Sequence, residues 1–320
     1  MNISKKFNLN ISGHKDIDFI DVDDRLDTKL FLDPYVIQAL DNEFCFNARK
    51  CIDSFFYEVF KTCREQNTNK LRMLLQYASE PNETNLGMKL ISDYGKGTTA
   101  DELSKLFLDF YKTVRRNPYL ENNPLALCMY IKNFAEDKMS DLITNIIRKQ
   151  LYYFTLKQSN IWNIPLKQDK AFIGYYWDFN KLVWENLYGF PLCTGHKNIL
   201  LIPKLIIRTK YVLNVENYIK QYILKTLQNE HFNKNSDMCL TKELANRRKK
   251  IHPPSIDELY KKEVHNTVHK DYASSYSTSN KNRENDYIEA IGRRIRNGYG
   301  SIPDEQLDKI VYKRTVKSVS

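Results

Sequence analysis

The sequence predicts a helix-rich α+β protein, with small β elements near the N-terminus and at about 171–208 and a mostly helical, basic C-terminal region. Three observations carry this. Apolar residues recur at helical spacing over long segments, as in Phe55, Phe56, Val59, Phe60 and Cys63. β-Branched and aromatic residues gather instead in short runs, "IDFIDV", "AFIGYYWDFNKLVWE" and "NILLIPKLIIR". Hydrophobic residues make up 42% of the chain and aromatics 12%, enough for a sizeable core and too much for global disorder.

In chain order, residues 17–32 read as two short strands around the acidic turn "DDRLDT", ending at Asp33-Pro34. Helical patterns follow over 45–64 and 70–78, then a turn-rich loop from 79 to 98. Thr99 and Glu102 have capping-box spacing and open a helix to about 115. The stretch "DKMSDLITNIIRKQLYYFT" (137–155) is the next long helix. A hairpin turning near Asp178–Lys181 and a buried strand broken near Pro203 come after it, then a helix over 214–229 capped by Asn214. Beyond 232 the chain turns polar. "NRRKKIHPP" and "DYASSYSTSNKNREN" read as linkers, and a last helix over 286–296 stops at "NGYG". The expected division is a core domain at 1–230 and a basic region at 231–320.

The net charge of +10 is unevenly spread: residues 1–60 hold 7 basic and 11 acidic side chains, and residues 241–320 hold 17 and 11. A basic body of this kind suits DNA or RNA as a partner. The six cysteines form no CxxC pair and show no zinc spacing with histidine, so they read as reduced, buried thiols. No N-terminal apolar stretch and no run of 18 apolar residues is present, so neither a signal peptide nor a membrane span is expected, and a cytoplasmic location is.

Four segments, "FIDVDDRLDTKLFLDP" (19–34), "SEPNETNLG" (79–87) with "YGKGTT" (94–99), "SDLITNIIR" (140–148) and "ILLIPKLIIR" (199–208), together resemble a bacterial protein family associated with phage-defence gene neighbourhoods. The resemblance covers about the first 210 residues. It implies an antiviral setting and no particular mechanism; a partner defence protein is expected alongside it.

The 137–155 helix holds the strongest candidate site. At 100° per residue, Asp137, Asp141, Thr144, Asn145 and Arg148 share one stripe opposite Leu142, Ile143, Ile146, Ile147 and Leu151. Asp, Asn and Thr compete for backbone hydrogen bonds in mid-helix, so three on one stripe cost about 1–2 kcal/mol of propensity. Such a stripe is either a network tying the helix to nearby loops or the wall of a site. Glu80 and Glu83, on a loop fixed by Pro81, would join Asp141 as oxygen ligands of Mg²⁺, with Asp33 a further metal ligand at a strand end. A metal so held activates water for phosphodiester cleavage, with Lys204 stabilising the transition state and Asn145 and Arg148 in support. The strand-borne (D/E)xK pattern of restriction-type nucleases is absent, because 202–204 reads Ile-Pro-Lys.

Three other features compete. Gly95, Lys96, Gly97, Thr98 and Thr99 precede a helix and would hold a phosphate, although GxxxxGK[ST] spacing is missing. Arg247, Arg248, Lys249 and Lys250, and Arg293, Arg294 and Arg296 near Tyr287 and Tyr299, have the cation and aromatic content of a nucleic-acid contact. The histidines, His265, His269 and His196 among them, carry little signal. Three functions follow: a Mg²⁺-dependent nuclease, a non-catalytic subunit recognising nucleic acid or a phage component, and a nucleotide sensor.

Overall fold

Asn42 starts the longest helix, Glu43–Arg64, by accepting a hydrogen bond from the Cys45 amide at 2.9 Å. Its buried line runs through Cys45, Ala48, Ile52, Phe55, Phe56, Val59 and Cys63, the i, i+3, i+4 pattern of a core-facing stripe. Phe55 meets Trp177 and Trp184 edge-on, with ring centroids at 5.1 and 5.6 Å, and so fixes the helix to a hairpin. The hairpin pairs Ala171–Asp178 with Val183–Gly189. Its turn closes where the sequence places it: Asp178 Oδ1 accepts from the Asn180 and Lys181 amides at 2.9 and 3.1 Å.

The computed structural model describes residues 1–87, 99–114, 125, 127–131, 134, 136–195, 197–243, 249–280 and 283–312. It is 55% helical and 12% strand, a helix-rich α+β fold, and its sheets are antiparallel pairs of two strands. No helix among the described residues is long and apolar enough to cross a membrane.

Contacts divide the chain into two units. The first combines Met1–Lys112, Phe134–Val212 and Gly292–Ser320, and the second Thr113–Asn133 and Leu213–Ile291. The segments interleave, whereas the sequence division set one boundary at 230.

In the first unit the N-terminal segment is tied to the end of the chain. His14 is buried; its Nδ1 lies 2.7 Å from an Asp308 carboxylate oxygen, and its Nε2 accepts from the Asp21 amide at 3.2 Å. The Tyr312 hydroxyl donates to Asp21 at 3.1 Å. Phe31–Leu32 pairs with Ile207–Arg208. The other strand expected within 17–32 is reduced to a bridge between Phe19 and Pro203, and the apolar run 198–208 is split into Asn198–Ile199, a 3₁₀ turn at Lys204–Ile206 and Ile207–Arg208. Pro203 has no N–H to donate, and the turn after it ends any ladder.

The second unit is built on Tyr130 and Tyr218, whose hydroxyls meet the Ser277 hydroxyl at 3.1 and 2.9 Å. Asn214 caps Val215–Tyr218, and the helix continues through a π turn at Ile219–Ile223 into Leu224–Asn233. Both expected linkers carry structure. Lys249–His252 pairs with Leu240–Glu243, and His269–Ser279 is a helix. The polar composition of the second misled, because its buried face is made of small residues, Ala273 and Ser277.

Candidate functional site

The stretch 137–155 is two helices, Glu136–Ile146 and Arg148–Ile161, with Ile147 at the join. Leu142, Ile143, Ile146, Ile147 and Leu151 are fully buried, as the apolar stripe requires. The polar stripe is covered as well. Thr144, Asn145 and Arg148 are buried, and Asp137 and Asp141 are half-buried. What covers it is the loop Ala78–Gly87.

That loop is pinned from several sides. Thr28 and the loop exchange backbone bonds, Thr28 N to Asn85 O at 2.8 Å and Gly87 N to Thr28 O at 3.0 Å. The Leu200 amide donates to Glu83 O at 2.9 Å, and Lys197 Nζ to Asn82 O at 2.6 Å. Asn85, at φ 54°, donates its side chain to Asp23 O. Asn145 holds the loop to the helix through a 2.7 Å bond from Nδ2 to Ser79 O, and the same nitrogen reaches Asp141 O at 3.0 Å.

Arg148 locks the arrangement. Its Nη1 lies 3.2 Å from Glu83 Oε1 and 3.3 Å from Ile173 O, and Nη2 donates to Asn145 Oδ1. The guanidinium rests against Gly174, which adopts φ +140° at an irregularity in the hairpin register. Glu83 is therefore a counter-ion of a buried arginine, in place of the metal ligand expected of it, and Asn145 and Arg148 tie the loop down.

At the other end of the stripe, Asp141 lies within the electrostatic reach of three further carboxylates. Burial pushes the Asp141 carboxyl up to about 8, and the charges of Asp137, Glu80 and Asp27 add to the shift. At neutral pH Asp141 keeps its proton. No hydrogen bond reaches its carboxyl among the described residues. Asp27 is absent from the sequence-derived set; its signal was the acid-rich turn "DDRLDT", which returns over the stripe through the Thr28 pairing with Asn85 and Leu86. Among the described residues no group of three or more His, Cys, Asp or Glu side chains is placed to hold a metal ion by itself.

The remaining predicted residues lie elsewhere. Asp33 caps the helix Pro34–Ala39, with Oδ1 accepting from the Tyr35 amide at 2.9 Å and Oδ2 from the Val212 amide at 2.8 Å. It is fully buried, and burial holds its carboxyl above the usual range, against the pull of the Val212 amide and Arg208. Asp33 acts as a cap, with both of its oxygens engaged by backbone amides. Lys204 turns to His14 O at 2.6 Å and Asp304 Oδ1 at 2.9 Å, so it holds the ends of the chain together and does not face Asp141.

Thr99 and Glu102 form the capping box expected of them, at 3.1 and 3.2 Å; Gly95 to Thr98 lie outside the described residues. Arg247, Arg248 and His196 lie outside them too, as does the side chain of Lys249, while Lys250 is exposed on a strand. His265 is exposed, and His269 Nε2 bonds the Tyr260 hydroxyl at 2.8 Å. All six cysteines are free thiols. Arg293, Arg294 and Arg296 are exposed in the last turn of the helix Arg283–Arg296, and the Arg294 guanidinium lies 3.7 Å above the Tyr299 ring.

No curated protein matches the sequence. No solved structure matches it either. Residues 8–214, more than half of the chain, match the family described as a domain of unknown function (DUF8370), and they contain the Ala78–Gly87 loop and the whole polar stripe. The chain belongs to that family.

Proposed function

We propose that the protein works in bacterial antiviral defence as a cytoplasmic subunit that recognises nucleic acid and passes the signal to a partner protein. The observation that carries this reading is Arg294 stacked on Tyr299 beside exposed Arg293 and Arg296. A planar cation on an aromatic face, with two more guanidiniums within a helical turn, offers phosphate contacts and a stacking platform together. The stretch from 292 to 320 holds seven basic residues against three acidic ones, and the whole chain carries +10. The defence setting rests on the four-segment resemblance.

Fluorescence anisotropy with single- and double-stranded DNA and RNA across a salt series tests it. Replacing Arg293, Arg294 and Arg296 by Ala should weaken binding at least about tenfold and flatten the salt slope by about 2–3. An unchanged salt slope removes the assignment.

A second reading, a Mg²⁺-dependent phosphodiesterase, is favoured by the carboxylates around Asp141. Mg²⁺ is commonly held by one or two carboxylates together with substrate phosphates, so Asp141 and Glu80 would suffice once substrate arrives. A bound cation would draw the Asp141 proton off. Incubating plasmid and RNA with Mg²⁺ or EDTA, for the wild-type protein and Asp141→Ala, decides it: cleavage abolished by EDTA and by the substitution is required.

A further inference from the structure

A hollow of about 270 Å³ opens between the helix Arg148–Ile161, the helix Glu43–Arg64 and the hairpin turn, and no site residue discussed so far lines it. Its wall is made of Asn47, Lys149, Gln150, Tyr153, Tyr176 and Phe179, with Trp177 and the turn residues Asp178 and Asn180. Three features of this wall are unusual for a packing gap. The Gln150 amide donates to Cys51 Sγ at 3.2 Å, while its oxygen is buried with no hydrogen-bond partner. Interchanging the two ends of the amide leaves a nitrogen orphaned instead, so the site asks for a polar partner either way. Lys149 stays charged: burial opposes its charge, but the Tyr176 hydroxyl at 3.3 Å and neighbouring groups outweigh it. At the rim, Lys50 Nζ stands 4.3 Å from the centre of the exposed Phe46 ring and 5.7 Å from that of Phe179, and Tyr153 is 55% exposed.

We propose that this hollow binds a nucleobase together with its phosphate. The volume lies just below the range of drug-sized sites, about 300 Å³ and upward, which suits one planar base with sugar and phosphate outside. Tyr153 and Phe179 supply aromatic faces, and the Gln150, Asn47 and Asn180 amides supply donors and acceptors for a base edge. Lys149 and Lys50 provide the positive charge a phosphate needs. The one acid in the wall, Asp178, is committed through Oδ1 to the Asn180 and Lys181 amides, and Lys149 and Lys181 offset its charge.

The ligand is either a free nucleotide or an exposed base of a single strand, and one titration separates them. Intrinsic tryptophan fluorescence of the full chain is followed on adding AMP, GMP, CMP and UMP singly, an eight-nucleotide single strand, and ribose 5-phosphate as the base-free control. The result expected is saturable binding of a mononucleotide or of the strand, weakened at least tenfold by Tyr153→Ala and by Lys149→Ala, with ribose 5-phosphate much weaker. Mononucleotide binding assigns the free ligand, and strand binding alone assigns the polymer. Equal binding of ribose 5-phosphate, or binding indifferent to both substitutions, overturns the proposal, as does silence from every probe, including in competition calorimetry. The triple arginine variant should retain this binding, so the outcome is independent of the arginine-rich helix end.

Discussion

Arg148 and Gly174 occupy one another's space: a Cβ on Gly174 would stand 2.7 Å from Arg148 Cδ and Nε. The glycine also sits at φ +140°, a conformation that side chains avoid. Gly174→Ala should therefore cost at least about 2 kcal/mol from strain and overpacking combined. Urea denaturation measures it. Because the clash needs the guanidinium, combining Gly174→Ala with Arg148→Ala should give a coupling of about 1 kcal/mol or more, and simple additivity would disprove the shared volume.

Asp141 makes stability depend on pH in an unusual direction. Its folded carboxyl titrates at about 8, above the ordinary 3.8, so the native state holds a proton that the unfolded chain releases. The contribution is complete below the ordinary carboxylate range and is lost as pH rises towards about 8. Asp141→Asn, which mimics the protonated form, should match the wild-type protein near pH 4 and melt about 3 °C or more higher at pH 8. A gap in melting temperature that is the same at both pH values would contradict the buried, protonated carboxyl.

Asp33→Ala removes the acceptor of two buried amides, those of Tyr35 and Val212. A lost cap with orphaned donors costs about 2–4 kcal/mol. Asp33→Asn keeps an acceptor and should lose less. Thermal melts of the pair are the check, and an Ala variant as stable as the Asn variant would remove Asp33 from its capping role.

Lys204→Met should cost about 1 kcal/mol, since its bonds to His14 O and Asp304 are partly exposed. Nucleic-acid affinity should not change. If it fell tenfold while the melting temperature held, Lys204 would belong to a binding surface after all.

The parts of the molecule legible in the sequence are those decided locally. The Asn42-capped helix with its Phe55–Phe56 stripe, the Thr99–Glu102 box, the Asp178 turn and the Asn214 cap each depend on residues within a few positions. The polar stripe was legible as a cost, and the loop covering it was a condition the sequence could state. Which carboxylates met was not legible. Glu83 and Glu80 are three residues apart, yet one pairs with Arg148 and the other adds its charge at Asp141, with the loop held by Asn145 and by the Thr28 bridge far away in sequence. Lys204 is opaque for a related reason: a lone lysine in an apolar run announces partners without naming them, and these lie 190 residues upstream and 100 downstream.

The contacts of His14 and Lys204 with Asp308 and Asp304 have a temporal consequence. These pairs close loops of 294 and 100 residues, so a chain emerging from the ribosome leaves His14 and Lys204 without these acidic partners until residues 304–308 are synthesised. The first unit cannot complete these contacts until residues 304–308 have been synthesised. Until then its earliest residues are ready clients for a chaperone, and a chain cut after residue 214 would remain in that state permanently.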